Sequence, residues 1–264
     1  MTLRAGGTAY DLSGAEDAPV VVLIHGLGLT RQITWDGMVA GLSAHYRVVH
    51  YDLLGHGQTA LPMGDVTLTA LSDQLIALMD HLEIAQAALV GFSLGGMINR
   101  RAALDHPDRV AALAILNSPH EREARAQALY EEAARKSASG GPEATVDAAL
   151  ARWFTEEFQS DNVDVVAHVR QAVMANDAVN YAAHRYVLAT GVTELIRPDP
   201  GITTPTLIMT CDHDSGSTPA MSHAIASEIP NAQVTILNGL RHLGLVEQPH
   251  LFSTAVLAFL DATL

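Results

Sequence analysis

The sequence predicts an α/β protein built on an open, mostly parallel sheet with helices on both faces. Three observations predict it. Short continuous apolar runs such as Val20-Val21-Val22-Leu23-Ile24 recur along the chain, and runs of that kind suit strands buried on both faces. These runs alternate with longer stretches of helical apolar spacing, which is the pattern of right-handed crossovers between parallel strands. The 264 residues, 48% of them hydrophobic, are enough for one large domain with a sizeable core.

Taken in order, residues 1–18 are expected to form a short edge structure with turns at Gly6-Gly7 and Ser13-Gly14. Pro19 opens the strand at 20–24, which ends in His25-Gly26-Leu27-Gly28. Residues 35–45 read as a helix and 46–51 as the next strand, running into the turn-rich loop 52–59. Residues 67–82 place Leu68, Leu71, Leu75, Leu78 and Met79 at helical spacing. Ala87-Ala88-Leu89-Val90 is a strand, Gly91 to Gly96 a tight turn, 97–104 a helix and 110–116 another buried strand.

From about residue 120 the pattern changes. Residues 121–136 are charged, alanine-rich and helical in character, and a glycine- and serine-rich break follows at 137–142. Residues 145–158, 163–174 and 178–190 are further helix candidates. Four helices in a row without a strand are too many for an ordinary crossover. Residues 120–195 are therefore expected to be a helical cap, with 1–119 and 196–264 as the core. The alternation resumes with a strand at 205–210, a helix at 220–228, a strand at 232–237 and a last helix at 249–262.

A formal net charge of −14 argues against nucleic acid and anionic membrane as partners, and leaves a small molecule as the expected one. The single cysteine, Cys211, excludes an internal disulfide and fits a reducing cytoplasm. The N-terminus has no long apolar run, so no signal peptide is expected, and no stretch approaches the ~20 apolar residues of a membrane helix. No dinucleotide fingerprint or P-loop occurs, so no cofactor is expected. Asp212-His213-Asp214 is the one metal-like triplet, and no second cluster accompanies it, so no metal is expected either.

The turn Gly91-Phe92-Ser93-Leu94-Gly95-Gly96 holds the first candidate for chemistry. A serine at the tip of a sharp strand-to-helix turn sits on strained backbone with chain crowding both sides, and Gly91 and Gly95 remove the Cβ atoms that would clash. The helix behind it aims its N-terminal N–H groups at Ser93 and favours negative charge there. Ligands in open parallel sheets gather beyond the carboxyl ends of strands. Beyond two further strand ends lie the acids Asp212 and Asp214, and His242. An imidazole can take and return a proton near neutral pH, which a serine nucleophile needs. Of the thirteen histidines, His25 and His56 suit loop bracing, while His45, His81, His106 and His250 lie in or beside helical stretches. His242 stands apart by its place after the last strand. Asp212 and Asp214 are two residues apart and would point opposite ways in an extended segment.

His25-Gly26-x-Gly28, Asp52-x-x-Gly55-His56-Gly57, the Ser93 turn, the acid loop, and His242 followed by Glu247-x-Pro249 occur in that order. Together they resemble the α/β-hydrolase superfamily and cover the chain outside 120–195. Tyr51 to Gly57, Gly91 to Met97 and the chain length are most similar to 3-oxoadipate enol-lactonases and neighbouring carboxylic-ester and C–C hydrolases. The resemblance implies an α/β-hydrolase fold with Ser93 as nucleophile, His242 as base and, by the family pattern Gly-x-x-Asp with Cys211 in the glycine place, Asp214 as acid. It implies an oxyanion hole from the backbone N–H groups of Leu27 and Leu94. It implies cleavage of a small ester or lactone through an acyl-enzyme. C–C or amide hydrolysis on a ring-degradation pathway and ligand sensing on a hydrolase scaffold are the alternatives. An anionic lactone would call for an arginine facing the pocket, and Arg31, Arg122, Arg125, Arg152, Arg185 and Arg241 are the candidates. Arg241 stands out because it precedes the base. Trp153, Phe154, Tyr181 and Tyr186 are candidates for an apolar wall. The substrate contacts expected are Trp153, Tyr186 and Arg241.

Overall fold

The structure is a computed structural model that describes residues 2–264. Among the described residues an eight-stranded sheet forms from β1 (Leu3–Ala5), β2 (Thr8–Ser13), β3 (Val20–Ile24), β4 (Arg47–Tyr51), β5 (Ala87–Phe92), β6 (Val110–Leu116), β7 (Thr206–Cys211) and β8 (Gln233–Leu237). The spatial order is β1-β2-β4-β3-β5-β6-β7-β8. β3 to β8 pair in parallel, as their apolar runs predict. The edge structure expected over residues 1–18 is an antiparallel hairpin, β1 on β2, and β2 also pairs antiparallel with β4. Every residue of β5 and β7 is buried.

Eleven helices accompany the sheet among the described residues: α1 (Arg31–Ser43), α2 (Leu68–His81), α3 (Leu94–Asp105), α4 (Ala124–Lys136), α5 (Val146–Trp153), α6 (Glu156–Asp161), α7 (Val163–Met174), α8 (Ala178–Thr190), α9 (Pro219–Glu228), α10 (Gly244–Glu247) and α11 (Pro249–Asp261). None is long and apolar enough to cross a membrane. α1 packs on α11, and α2 on α3. α4 to α8 all fall between β6 and β7, where α4 packs on α8 and α5 on α7.

Two boundaries differ from the sequence pattern for local reasons. α1 begins at Arg31 because the Thr30 hydroxyl caps it, accepting from the Ile33 N–H at 3.3 Å. The helix expected over 145–158 breaks at Phe154 and Thr155. Thr155 starts α6 by accepting from the Phe158 N–H, and its own N–H and hydroxyl donate to the Glu247 carboxylate at 2.8 and 2.7 Å. An apolar-spaced run carries no mark of a carboxylate arriving from α10, so periodicity alone reads straight through.

Arg31, a candidate for the substrate pocket, is fully buried beneath the sheet edge instead. Its guanidinium pairs with Asp52 and, at 2.7 Å, with Asp11 of β2, and its N–H donates to Asp52 at 2.9 Å. A guanidinium is costly to bury unless its donors are met, and here carboxylates meet them. This one ties β2, the start of α1 and the loop after β4 together.

The sharpest constraint lies where β5 turns into α3. Ser93 has φ +56° and ψ −112°, a region a non-glycine residue enters only when its surroundings enforce it. The surroundings are mostly backbone. A methyl at Gly91 would overlap the Gly95 carbonyl, one at Gly95 would overlap the Ile24 carbonyl of β3, and one at Gly96 would come 2.6 Å from the Ser118 side chain. Gly95→Ala is therefore expected to destabilise the fold by about 1–3 kcal/mol, the range for overpacking a rigid interior. Gly64→Ala, which meets open space, is expected to stay within about 0.5 kcal/mol of the parent. Urea denaturation of both variants checks the contrast.

Candidate active site

β5 is wholly buried and delivers Ser93 to the carboxyl edge of the sheet, next to where the strand order reverses around β3. The loop after β7 brings Asp214, and the loop after β8 brings His242. The three side chains form one chain of hydrogen bonds. Ser93 Oγ lies 3.1 Å from His242 Nε2, and His242 Nδ1 lies 2.7 Å from Asp214 Oδ2. The Nδ1–H donates to the carboxylate, which leaves Nε2 to accept from the serine hydroxyl.

Asp214 is held from every side. Its Oδ1 accepts from the Gly216 and Ser217 N–H groups at 2.9 Å each, and its Oδ2 also accepts from Asn117 Nδ2 at 2.9 Å. Burial pushes its pKa up, but the facing His242 and the hydrogen bonds from His242, Asn117 and Ser217 outweigh it, so the carboxyl stays below its ordinary value. Asp212 turns away. Its Oδ1 accepts from the Gly239 N–H at 2.8 Å and so braces the loop after β8. Asn117 carried no mark in the sequence reading. It is the first residue past β6 and sits at φ +47°, a conformation asparagine tolerates better than most side chains. A polar residue one step beyond a predicted strand end was the available signal.

The His25-Gly26-Leu27-Gly28 loop lies against Ser93. A Cβ placed on Gly26 would come 3.2 Å from that of Ser93. Two histidines support the loop from behind. His25 Nδ1–H donates to the Gly26 carbonyl at 2.7 Å while its Nε2 accepts from the Leu53 N–H at 2.9 Å. His56 Nε2 accepts from the Gly28 N–H at 3.0 Å while its Nδ1–H donates to the Leu54 carbonyl. Both act as the loop braces the sequence predicts. Among the described residues, the N–H groups of Leu27 and Leu94 have no hydrogen-bond partner.

A third buried histidine went unmarked in the sequence. His184 of α8 sets its ring 4.6 Å from that of His56, edge to face, and His56 lies 5.4 Å from His25. His184 donates from Nδ1 to the Asn180 carbonyl, and among the described residues its Nε2 has no hydrogen-bond partner. Burial lowers the pKa of all three. His184 falls to about 4, and His56 is pushed well down by burial and then by its two imidazole neighbours. These are neutral imidazoles at pH 7. α8 reaches the same loop through Asn180, which donates to the Gly55 carbonyl at 3.1 Å, and Asn176 donates to the Gly28 carbonyl at 3.0 Å.

Above Ser93 lies a cavity of about 290 Å³. Gly26, Leu27, Ser93 and His242 form its floor, and α5, α8 and the segment leading into α4 supply its roof. Trp153, an expected contact, lines it, with its indole 6.3 Å from the His242 ring. Tyr181, Arg122, Arg152 and Arg185 line it as well. Two expected contacts do not. Tyr186 is 42% exposed and lies outside the wall. α8 turns Tyr181, Arg185 and Leu188 inward, and Tyr186 is a further ~100° round the helix. Arg241 points away from the cavity and donates to the Ala151 and Phe154 carbonyls at 2.7 and 3.0 Å. It fastens the end of α5 to the loop that carries His242. Phe154 is core, stacked on Phe158 at 5.1 Å, and Arg125 is absent from the wall. Among the described residues no group of three or more His, Cys, Asp or Glu could hold a metal.

The comparisons agree with this architecture. The alpha/beta hydrolase fold family matches residues 19–249, and the chain belongs to that family. It is 29% identical to 3-oxoadipate enol-lactonase 2 of Acinetobacter baylyi over 97% of this chain and 94% of that one. The enol-lactonase structure from Burkholderia xenovorans superposes with a TM-score of 0.87 at 31% identity, covering 99% of this chain and all of the other (100%). A further relative, at 26% identity over 100% of this chain and 98% of its own, is the (E)-2-((N-methylformamido)methylene)succinate hydrolase of Acinetobacter baylyi.

The buried imidazoles make acid stability a readout. His184 has an ordinary pKa of 6.5 when unfolded and about 4 when folded. Between those values the unfolded chain binds the extra proton, so stability is full above the unfolded value and falls as pH drops toward the folded one. His184→Phe keeps a ring but cannot titrate. From about pH 7 to about pH 4.5 the wild type is expected to lose about 2–3 kcal/mol more than this variant, whatever the variant's own starting stability. Urea denaturation across that range measures the difference.

Proposed function

We propose that this hydrolase is a serine hydrolase of small carboxylic esters or lactones, similar in its chemistry to 3-oxoadipate enol-lactonases. The observation that carries the reading is the unbroken chain from Ser93 Oγ through His242 to Asp214, at 3.1 and 2.7 Å. In this reading His242 takes the serine proton as Ser93 attacks the carbonyl, and Asp214 steadies the imidazolium. The oxyanion is received by the free N–H groups of Leu27 and Leu94, on the two loops that meet at Ser93. Collapse of the tetrahedral intermediate expels the alcohol and leaves an acyl-enzyme. His242 returns its proton to the alcohol and then activates the water that releases the acid. In a lactone the alcohol remains tethered to the acyl group.

Residues 120–195 act as a cap in this reading, because α5, α8 and the approach to α4 roof the cavity while the sheet supplies its floor. Trp153 and Tyr181 provide its apolar wall. A reducing cytoplasm suits a chain whose only cysteine, Cys211, is buried and free. The relative named for a methylformamido-succinate substrate favours a second reading, amide or C–C cleavage with His242 driving water directly. Trapping an acyl group on Ser93 separates the two. Repeated turnover of a small lactone separates both from a ligand sensor.

Ser93→Ala is expected to abolish turnover of p-nitrophenyl acetate and of an enol-lactone panel. Asp214→Asn is expected to lower kcat by about 10³-fold or more, since the wrong imidazole tautomer is then favoured. Asp212→Asn, outside the chain, is expected to stay within about twofold of the parent in steady-state kinetics. Retained activity in Ser93→Ala, or a reversal of the two aspartate variants, would overturn the assignment.

A further inference from the structure

Asn117, the first residue past β6, is fully buried, and two features of it are costly. Its backbone is held at φ +47°, a region that strains a residue with a side chain. Among the described residues its Oδ1 has no hydrogen-bond partner, and a buried amide oxygen left unpaired is destabilising. A contact elsewhere has to offset both.

The other end of the amide provides it. Asn117 Nδ2 donates at 2.9 Å to Asp214 Oδ2, the same oxygen that accepts from His242 Nδ1 at 2.7 Å. Turning the amide over would aim a carbonyl at a carboxylate, so its orientation is fixed. The neighbouring Thr210 hydroxyl donates to the Ser217 carbonyl at 2.6 Å and presents its oxygen to Nδ2 at 3.4 Å.

An ionised carboxylate has about four acceptor sites. The Gly216 and Ser217 N–H groups fill Oδ1, and His242 and Asn117 fill Oδ2. The donors on Oδ1 belong to the aspartate's own loop, and His242 is the group to be positioned. Asn117 is therefore the donor that ties Oδ2 to the sheet. The sheet at that point is pinned to the serine as well. The Ser93 N–H donates to the carbonyl of Leu116, one residue earlier, and the Asn117 N–H to that of Met209 on β7, both at 2.8 Å.

We propose that Asn117 is a positioning residue for the reaction: it fixes the rotation of the Asp214 carboxylate and, through it, the aim of His242 at Ser93. The kinetic consequence rests on the serine-hydrolase reading; the hold on Asp214 and His242 does not.

Asn117→Asp tests it, because it keeps the shape and the tolerance of positive φ but loses the donor. With p-nitrophenyl acetate at about pH 8, kcat is expected to fall about 10–100-fold, the worth of a hydrogen bond to a charged group. KM is expected to stay within about twofold, since Asn117 is not part of the cavity wall. Two facing carboxylates hold one proton between them more readily than either does alone, and the protonated one donates as the amide does. The ratio of variant to wild-type kcat is therefore expected to rise several-fold from about pH 8 to about pH 5.5. Cys211 lies 3.5 Å from the amide, but burial pushes its thiol up to about 12, so it stays neutral over that range. Asp212 and Glu247, the other acids acting there, are engaged by Gly239 and Thr155. A merely structural role would lower kcat by the same factor at every pH or raise KM instead; either result, or wild-type kcat in the variant, would overturn the proposal. If the wild type does not cleave the ester, the hydrolase reading fails separately, and proton NMR decides on the hold. The His242 Nδ1–H signal, identified by its loss in His242→Gln, is expected to exchange with water about tenfold faster in Asn117→Gly, a variant that suits the positive φ. Equal exchange in the two proteins, or no protected signal in the wild type, removes the proposal.

Discussion

The site depends first on a contact between two stretches of backbone. Gly95 lies so close to the Ile24 carbonyl of β3 that no side chain fits between them. That approach, with Gly91 against the Gly95 carbonyl, compresses the turn between β5 and α3 and holds Ser93 at φ +56°. The strain is affordable because both neighbouring strands are buried and hydrogen-bonded in register, Ile24 opposite Gly91. The same contact sets the distance between the Ser93 turn and the loop that leaves β3. Gly26 and Leu27 therefore meet the serine as a consequence of sheet packing, and His25 and His56 hold their loop from behind.

The other two members of the hydrogen-bonded chain arrive on separate strands and need their own supports. Asn117, the first residue past β6, steadies the Asp214 carboxylate from one side, while two N–H groups of the aspartate's own loop steady the other. The loop after β8 is steadied by the helices above it. The Leu243 N–H donates to the Trp153 carbonyl at 2.8 Å, Glu247 holds Thr155, and Arg241 holds the end of α5. The residues on both sides of His242 are thus tied to α5 and α6. The opposite side of the cavity is tied as closely, through Asn176 and Asn180 to the loops at Gly28 and Gly55. The helical stretch between β6 and β7 is part of the support for His242 and for the loop beside Ser93, as well as a roof over them.

Much of this was legible in the sequence. Parallel strands declare themselves as unbroken apolar runs, and Ser93, Asp214 and His242 each stand just past such a run. What was not legible depended on partners distant in the chain. An asparagine after a strand reads as an ordinary turn, so Asn117 carried no sign of the carboxylate it would meet from 97 residues further on. His184 occupies a helix whose spacing shows which side is buried, but not that the buried side meets two other imidazoles. Arg241 was expected at the substrate because it adjoins His242, and adjacency was the wrong guide. Neighbouring residues in a turn diverge, so when His242 faces the cavity Arg241 faces the helix ends.

That divergence also explains how the arginines divide their work. A guanidinium is expensive to bury and is stable only where its donors are met. Arg31 meets two carboxylates and becomes a joint between strand, helix and loop. Arg241 meets two carbonyls at the end of α5 and becomes a strap. Arg122 and Arg152 meet one amide and one carbonyl respectively and line the cavity over Ser93. The difference among the four lies in what the fold leaves unpaired. Glu121 and Glu123, which flank Arg122 in the chain, are engaged by Arg197 and by the N–H groups at the start of α4 respectively.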